Sequence, residues 1–563
     1  MSGDADHTDT AAFDWGPVNL TSAETRWPER LESLARYVES LDHAESESEV
    51  ERNERRRSFF RACLDSPVRE RIVSCDALVG SGKTTAVLAY MLKRAIEDGL
   101  RRIIIVAPYT NILTQTAQRL RAALVLAGEN PDAVIVEHHH RADFDSRDSR
   151  ELAVRWSAPI VLTTAVSFFE SLSGCSAATL RKLHNVPGSA IVIDEAHAAL
   201  PIHLWMQNWR WMRELTERWS CRAVFMSGSL VKFWKNQTIV GEVPMDLPDI
   251  LPRHLAEVSK VAERRRITYA QLTGSVLEVD ELIGHVQLAP GPRLVILNTV
   301  QSAAVVARAM RKAGMTVEHL STALTPADRE PILDRVIGRL RSPETDWALV
   351  ATSCVEAGVD FSFRTAFRQT FSTASTIQVG GRVNRNGEYN DVGGSSVYDF
   401  DVQGDLITPN PSATTSSQIL RRLLNQDALN GRDPAEIVTD AIRDEVRITG
   451  NRDASQLCTA EEHADYPSVA AQGRVIDADT RIVVVDKNLI HLLEMNRPVP
   501  FRLLLSRSVQ LWATKISKLG LEALPGHKEL YRWPMDYDPA FLGIMSGVLG
   551  NAEFAIAGGY IVD

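Results

Sequence analysis

Residues Ala77–Thr84 read ALVGSGKT, a spacing that can hold a nucleotide. Gly80 and Gly82, with Ser81 between them, let backbone N–H groups wrap a β-phosphate. Lys83 then reaches the β and γ oxygens, the Thr84 hydroxyl takes a Mg²⁺ position, and Thr85 lies beside it in the same cradle. The usual pattern opens on Gly where this chain has Ala77. A second cluster, Ile191–His197, reads IVIDEAH. Its β-branched run ends a buried strand and leaves Asp194 and Glu195 at the strand's C-terminal edge, where open α/β sheets bind ligands. Asp194 suits the Mg²⁺ shell, and Glu195 suits orienting and deprotonating an attacking water. A third cluster, Gln378, Gly381, Arg382 and Arg385, reads QxxGRxxR on a predicted helix, with both arginines on one face. Two guanidiniums offered by a second domain to a nucleotide on the first would act as arginine fingers, neutralising γ-phosphate charge. Together the clusters describe a two-lobed, Mg²⁺-dependent ATPase, and ATP is its fuel.

The elements around these residues must be strands feeding loops. Apolar Arg71–Cys75 precedes the glycines and a helical pattern, Lys83–Ala95, follows them. Strand-like runs at 103–106, 133–137, 160–162, 190–193 and 223–226 alternate with helical ones, as at 113–124. A second alternating set runs through 294–297, 305–310, 316–320, 332–340, 348–351 and 396–400. Such alternation predicts an α/β protein: two tandem RecA-like P-loop domains, parallel sheets with flanking helices, plus a mixed α+β C-terminal domain. The expected division is an acidic tail over 1–25, a helical segment and first domain over 26–240, and a connection over 241–290 containing Pro244–Pro252. A second domain over 291–402 and a linker with accessory domain over 403–563 complete it.

The 563 residues are 44% hydrophobic and 24% charged, as in globular proteins, and exceed what one core holds. No apolar run approaches the roughly 20 residues of a bilayer span, so no membrane partner is expected. The acidic N-terminus lacks the regions of a secretory signal. Six scattered cysteines without a CxxC pair argue against a zinc site and a disulfide framework, and for the cytoplasm. A net charge of −10 does not advertise nucleic-acid binding, although a groove can be basic on an acidic protein.

AxxGxGKT, DEAH and QxxGRxxR in this order resemble a superfamily-two helicase. The stretches WSAPIVLTTAVSFFESL, RKLHNVPGSAIVIDEAHAALP, LVILNTVQSA and STALTPADRE narrow the resemblance to the helicase of CRISPR type I interference, the Cascade-recruited Cas-three family. The resemblance covers about Ser58 to Phe400 and, more loosely, LYRWPMDYDP at 530–539. It implies ATP-driven 3′→5′ movement on single-stranded DNA, exposed by a Cascade-type surveillance complex. It implies nucleic-acid backbone contacts from Pro108 and Thr110 of APYTNILTQ, from Thr163 and Thr164, and in the second lobe from Asn298, Thr299, Thr352 and Ser353. Asp360 would lie near the ribose. His197, Ser227 and Ser229 would couple hydrolysis to movement, with Ser-Gly-Ser standing where the family has SAT or TAT.

Most family members carry an HD-type nuclease domain, but no His-Asp doublet occurs in this sequence. The expected form is therefore helicase-only, with cutting by a separate HD nuclease or by a segment outside this sequence. Two other clusters receive plain readings. His138-His139-His140 with Asp143 and Asp145 is expected to be a loop bordering the nucleic acid, not a metal site. Trp205, Trp209, Met212 and Trp219 at helical spacing are expected in the core. The competing functions are a helicase of another antiviral or RNA-processing system, and an ATP-gated scaffold that hardly unwinds.

Overall fold

The computed structural model describes residues 22–41, 47–77, 81–138, 153–272, 274–356, 360–385, 387–390, 393–409, 414–450, 452–475, 479–527 and 529–556. Two compact units divide the chain: Met1–Arg264 with Arg432–Ile476, and Arg265–Gly431 with Asp477–Asp563.

The first unit is built on six parallel strands: β1 (Ile72–Asp76), β2 (Arg102–Ala107), β3 (Ile135–His138), β4 (Ile160–Thr164), β5 (Ser189–Asp194) and β6 (Arg222–Ser227). Their order is β1-β6-β5-β2-β4-β3. All but β3 are buried along their whole length, because helices cover both faces, and so their sequences run apolar without alternation. On one face lie the helices Trp27–Ser40, Glu47–Leu64, Lys83–Asp98 and Thr110–Leu124, packed on Val73, Ile103, Ile105, Val224 and Met226. Phe225, between the last two, points the other way and meets Trp209, Phe233 and Trp234 with ring centroids 5.6–6.2 Å apart. Trp205, Trp209 and Met212 are accordingly core residues of the helix Trp205–Glu217. Trp219 lies beyond that helix's end and is half-buried.

The second unit repeats the design with β7 (Thr268–Gln271), β8 (Leu277–Glu278), β9 (Arg293–Ile296), β10 (Val317–Leu320), β11 (Ala348–Ala351), β12 (Thr365–Gln369), β13 (Ser396–Phe400) and β14 (Val402–Gln403). Six of these form a parallel sheet in the order β10-β11-β9-β12-β13-β7, and β8 pairs with β14. Val295, Val350 and Phe367 face the helix Val300–Lys312; Leu294, Leu349 and Ala366 face Pro326–Arg341. The α/β class read from alternation is thus the observed one. The alternation misses β12, a central strand of sequence TAFRQ. Its Arg368 is buried against Glu356 at 3.0 Å, so a polar pattern stands where a buried strand usually reads apolar. It also misses β7, in the stretch read as connection.

After β14 the chain serves both units. The helices Pro434–Thr449, Arg452–Glu462 and Tyr466–Gln472 belong to the first, where Leu457 and Val469 pack on Leu204. The three-stranded mixed sheet β16-β15-β17 (Ser508–Trp512, Thr480–Val484, Leu530–Arg532) belongs to the second. Val483, Val509, Trp533 and Phe541 enter that unit's core. One accessory domain over 403–563 is therefore not what the chain builds, because its apolar faces complete two different cores.

Candidate nucleotide site

β1, β5 and β6 deliver the chemistry of the first unit at their C-terminal ends. The helix Lys83–Asp98 begins on Gly82 at φ 79° and ends on Gly99 at φ 65°, left-handed positions that suit glycine. Its N-terminus carries Lys83, and the Thr85 hydroxyl donates to Gly82 O at 2.8 Å. Gly80 lies outside the described residues. A side chain on Gly82 would come within 3.8 Å of Arg56 Cγ, so the helix Glu47–Leu64 sets Arg56 beside the loop. Arg56 belongs to the mixed-charge run ESESEVERNERRR.

Lys83 Nζ donates to Glu195 Oε1 at 2.6 Å and lies 3.7 Å from Asp194 Oδ1. Glu195 holds φ at 48°, a left-handed conformation that costs a non-glycine residue about 1–3 kcal/mol. Its carboxylate is gripped from the other side by the Ser227 hydroxyl, which donates to Oε2 at 2.8 Å and accepts the Ser229 N–H at 3.1 Å. The Glu195 N–H donates to Asp194 Oδ1 at 2.9 Å. Burial, with the Glu195 charge beside it, pushes the Asp194 carboxyl up to about 6 against the pull of Lys83. Burial disfavours the Lys83 charge, but the Glu195 and Asp194 carboxylates outweigh it and hold the ammonium above its usual range. Asp194, buried 3.7 Å from Lys83 at the start of the helix Lys83–Asp98, offers a carboxylate oxygen of the kind hard divalent cations take. Asp194, Glu195, Lys83, Ser227 and Ser229 are thus one cluster; the side chain of His197 lies outside the described residues.

The expected nucleic-acid contacts on this unit are at the same sheet edge. Thr163 is fully buried and its hydroxyl donates to His138 O at 3.0 Å, so its side chain is a strut inside the fold. Thr164 caps the helix Ala165–Ser173 by accepting the Ser167 N–H at 3.1 Å. Pro108 follows β2; the side chain of Thr110 lies outside the described residues, as do His139, His140, Asp143 and Asp145.

In the second unit the helix Thr373–Gly380 carries Gln378 and stops at the Gly380-Gly381 pair. Arg382 and Arg385 therefore leave the expected helix face and stand in the turn after it. Arg382 is buried and donates to Glu356 O at 3.0 Å and Val355 O at 3.4 Å. Arg385 pairs with Asp360 at 3.1 Å, and its N–H donates to Ser362 Oγ at 3.0 Å. The Asn298 side chain donates to Thr370 O at 2.9 Å and accepts from buried Arg368. Thr299 caps the helix Val300–Lys312, and its hydroxyl lies 2.9 Å from that of Thr408. Thr352 is buried beside Cys354, whereas Ser353 is exposed. Of the four, Ser353 is the side chain that faces solvent most openly.

Two family models cover these two regions. DEAD/DEAH box helicase matches residues 58–233, and CRISPR-associated nuclease/helicase Cas3, C-terminal, matches residues 290–388. The chain is thus similar to DEAD/DEAH box helicases over the first of these regions and to Cas3 over the second. The CRISPR-associated nuclease/helicase Cas3 of Haloferax volcanii is 25% identical over 482 residues, covering 65% of this chain and 51% of that relative. The chain thus spans about half the length of the curated Cas3 it matches. Among solved structures, T. fusca Cas3-ATP aligns with a TM-score of 0.64 at 15% identity, covering 89% of this chain and 69% of that one. A chain of a pre-nicking CRISPR RNA-guided surveillance complex aligns at 0.56 and 16% identity, over 84% and 67%. These likenesses establish a shared Cas3-type fold. Among the described residues no helix is long and apolar enough to cross a membrane, and no group of three or more His, Cys, Asp or Glu could hold a metal ion.

Proposed function

We propose that this chain is an ATP-dependent, 3′→5′ single-stranded DNA translocase and helicase of CRISPR type I interference. In this reading a Cascade-type complex recruits it to target DNA and a separate HD nuclease cuts. The observation that carries the proposal is the chain Lys83–Glu195–Ser227, closed by Asp194, at the end of a parallel sheet behind a phosphate-loop sequence.

Each residue has a distinct task. Lys83 neutralises phosphate charge as it builds, and Glu195, held at both oxygens, orients a water and accepts its proton. Thr84 and Asp194 are the residues that would hold Mg²⁺, which supplies charge neutralisation between the β and γ phosphates when bound. Gln378, Arg382 and Arg385 are assigned to the γ-phosphate, and Asp360 to the ribose, from motif order and family resemblance. Nucleic acid is held through its backbone, with target choice left to the guide-bearing partner.

The test is steady-state ATP hydrolysis with and without single-stranded DNA. Lys83→Ala and Glu195→Gln are each expected to lower DNA-stimulated turnover by about 10²-fold or more. Wild-type rates in either variant would remove that residue from the mechanism. Stronger stimulation by RNA than by DNA would move the chain to an RNA-processing role, and ATP-dependent complex formation without strand displacement would make it a scaffold.

A further inference from the structure

Asp76 ends β1, one residue before Ala77 and the phosphate-loop sequence. Its side chain is 6% exposed and accepts from two lysines, Lys260 Nζ at 3.0 Å and Lys232 Nζ at 3.2 Å. Its N–H donates to Asp249 Oδ2 at 3.0 Å. Lys260, itself nearly buried, pairs at the same time with Asp433. Asp433 is the N-cap of the helix Pro434–Thr449 and accepts the Ala435 N–H at 3.0 Å. Lys232, a few residues past Ser227–Ser229, receives the Thr439 hydroxyl oxygen as acceptor for its own N–H at 3.1 Å. One ammonium thus joins the strand that feeds the phosphate loop, the helix Arg253–Arg266 and a helix nearly two hundred residues downstream, within the first unit.

Asp76 is the ladder partner of Ser227 across β1 and β6, and a solvated surface pair would not be built this way. Asp76, Asp433 and Lys260 are nearly buried, while Lys232 keeps about a third of its side chain in solvent. The buried charges are stable only with their partners present, because a lone buried charge is strongly penalised. Such an arrangement fixes register rather than adding stability. In the second unit Arg266 donates to Gly380 O at 3.3 Å and to Val383 O.

We infer that Lys260 is a positioning residue that couples occupancy of the phosphate loop to the helices Arg253–Arg266 and Pro434–Thr449. The inference rests on the nucleotide-site reading, and its test separates the two. Amide hydrogen exchange is followed with and without ADP in the wild type, Lys260→Met, Lys260→Arg and Asp433→Asn. In the wild type, ADP slows exchange about threefold or more at the start of the Lys83–Asp98 helix and also in the two coupled helices. Lys260→Met keeps the first protection and loses the other two, while Lys260→Arg, which can still bridge both carboxylates, retains all three. If Lys260→Met does not fold, Asp433→Asn, which preserves an N-cap, loses protection in Pro434–Thr449 alone. Protection of both helices in the folded Met variant, or of Pro434–Thr449 in the Asn variant, overturns the inference. Absence of any ADP protection near Lys83 in the wild type defeats the nucleotide-site reading, and this inference with it.

Discussion

In the proposed mechanism Glu195 is where the chemistry is concentrated, and its two neighbours do different work. Lys83 opposes its charge, whereas the Ser227 hydroxyl fixes its orientation from a strand that carries no charge to the site. The Ser-Gly-Ser sequence thus places a hydroxyl on the Glu195 carboxylate. Ser227→Ala is expected to lower the turnover number of DNA-stimulated hydrolysis about tenfold and to leave the KM for ATP within about twofold, since orientation and not phosphate binding is lost. Ser227→Thr should recover most of it. A change in KM alone would show that Ser227 serves the phosphate loop instead.

At the scale of elements, the C-terminal segment acts as a clasp on the second sheet. His319 of β10 is fully buried, donates from Nδ1 to Phe541 O at 2.6 Å and meets the Phe541 ring at a centroid distance of 5.8 Å. Burial pulls its pKa down to about 4. The folded ring thus stays neutral while the unfolded one takes up a proton below about 6.5. The contribution is complete above that pH and is lost as pH falls toward 4, a difference of about 3 kcal/mol. Urea midpoints measured from pH 7.5 to 4.5 should fall with acid in the wild type. They should fall less steeply in His319→Asn, which keeps a donor for Phe541; parallel slopes would refute the assignment. Elements also explain what the sequence concealed. β12 was illegible because Arg368 and Gln369 are buried polar groups satisfied by Glu356, outside the strand, and by Asn298, 71 residues away in sequence. The helix expected through Arg385 stops early because Gly380 and Gly381 end it, and Arg382 finds loop carbonyls.

For the whole molecule, a net charge of −10 must coexist with the proposed grip on a polyanion, so binding should be local and salt-sensitive. Neutralising three phosphates of a single strand gives a log–log salt slope of about −2. Fluorescence anisotropy with oligo-dT and a mixed-sequence strand, between about 50 and 200 mM salt, should show such a slope or a steeper one, similar for both strands. A slope near zero, or a strong preference between strands, would contradict backbone binding. The DEAH strand and the α/β alternation were readable in advance because each depends on neighbours a few residues apart: buried strands demand apolar runs. The grouping of Ser227 with Glu195, the Asp76–Lys260–Asp433 bridge and the sharing of the last 160 or so residues between two cores depend on side chains that only folding makes adjacent. Local pattern carries the first kind of information because backbone sterics and burial act at short range. Ion pairs and packing carry the second, because they reward proximity in space whatever the separation along the chain.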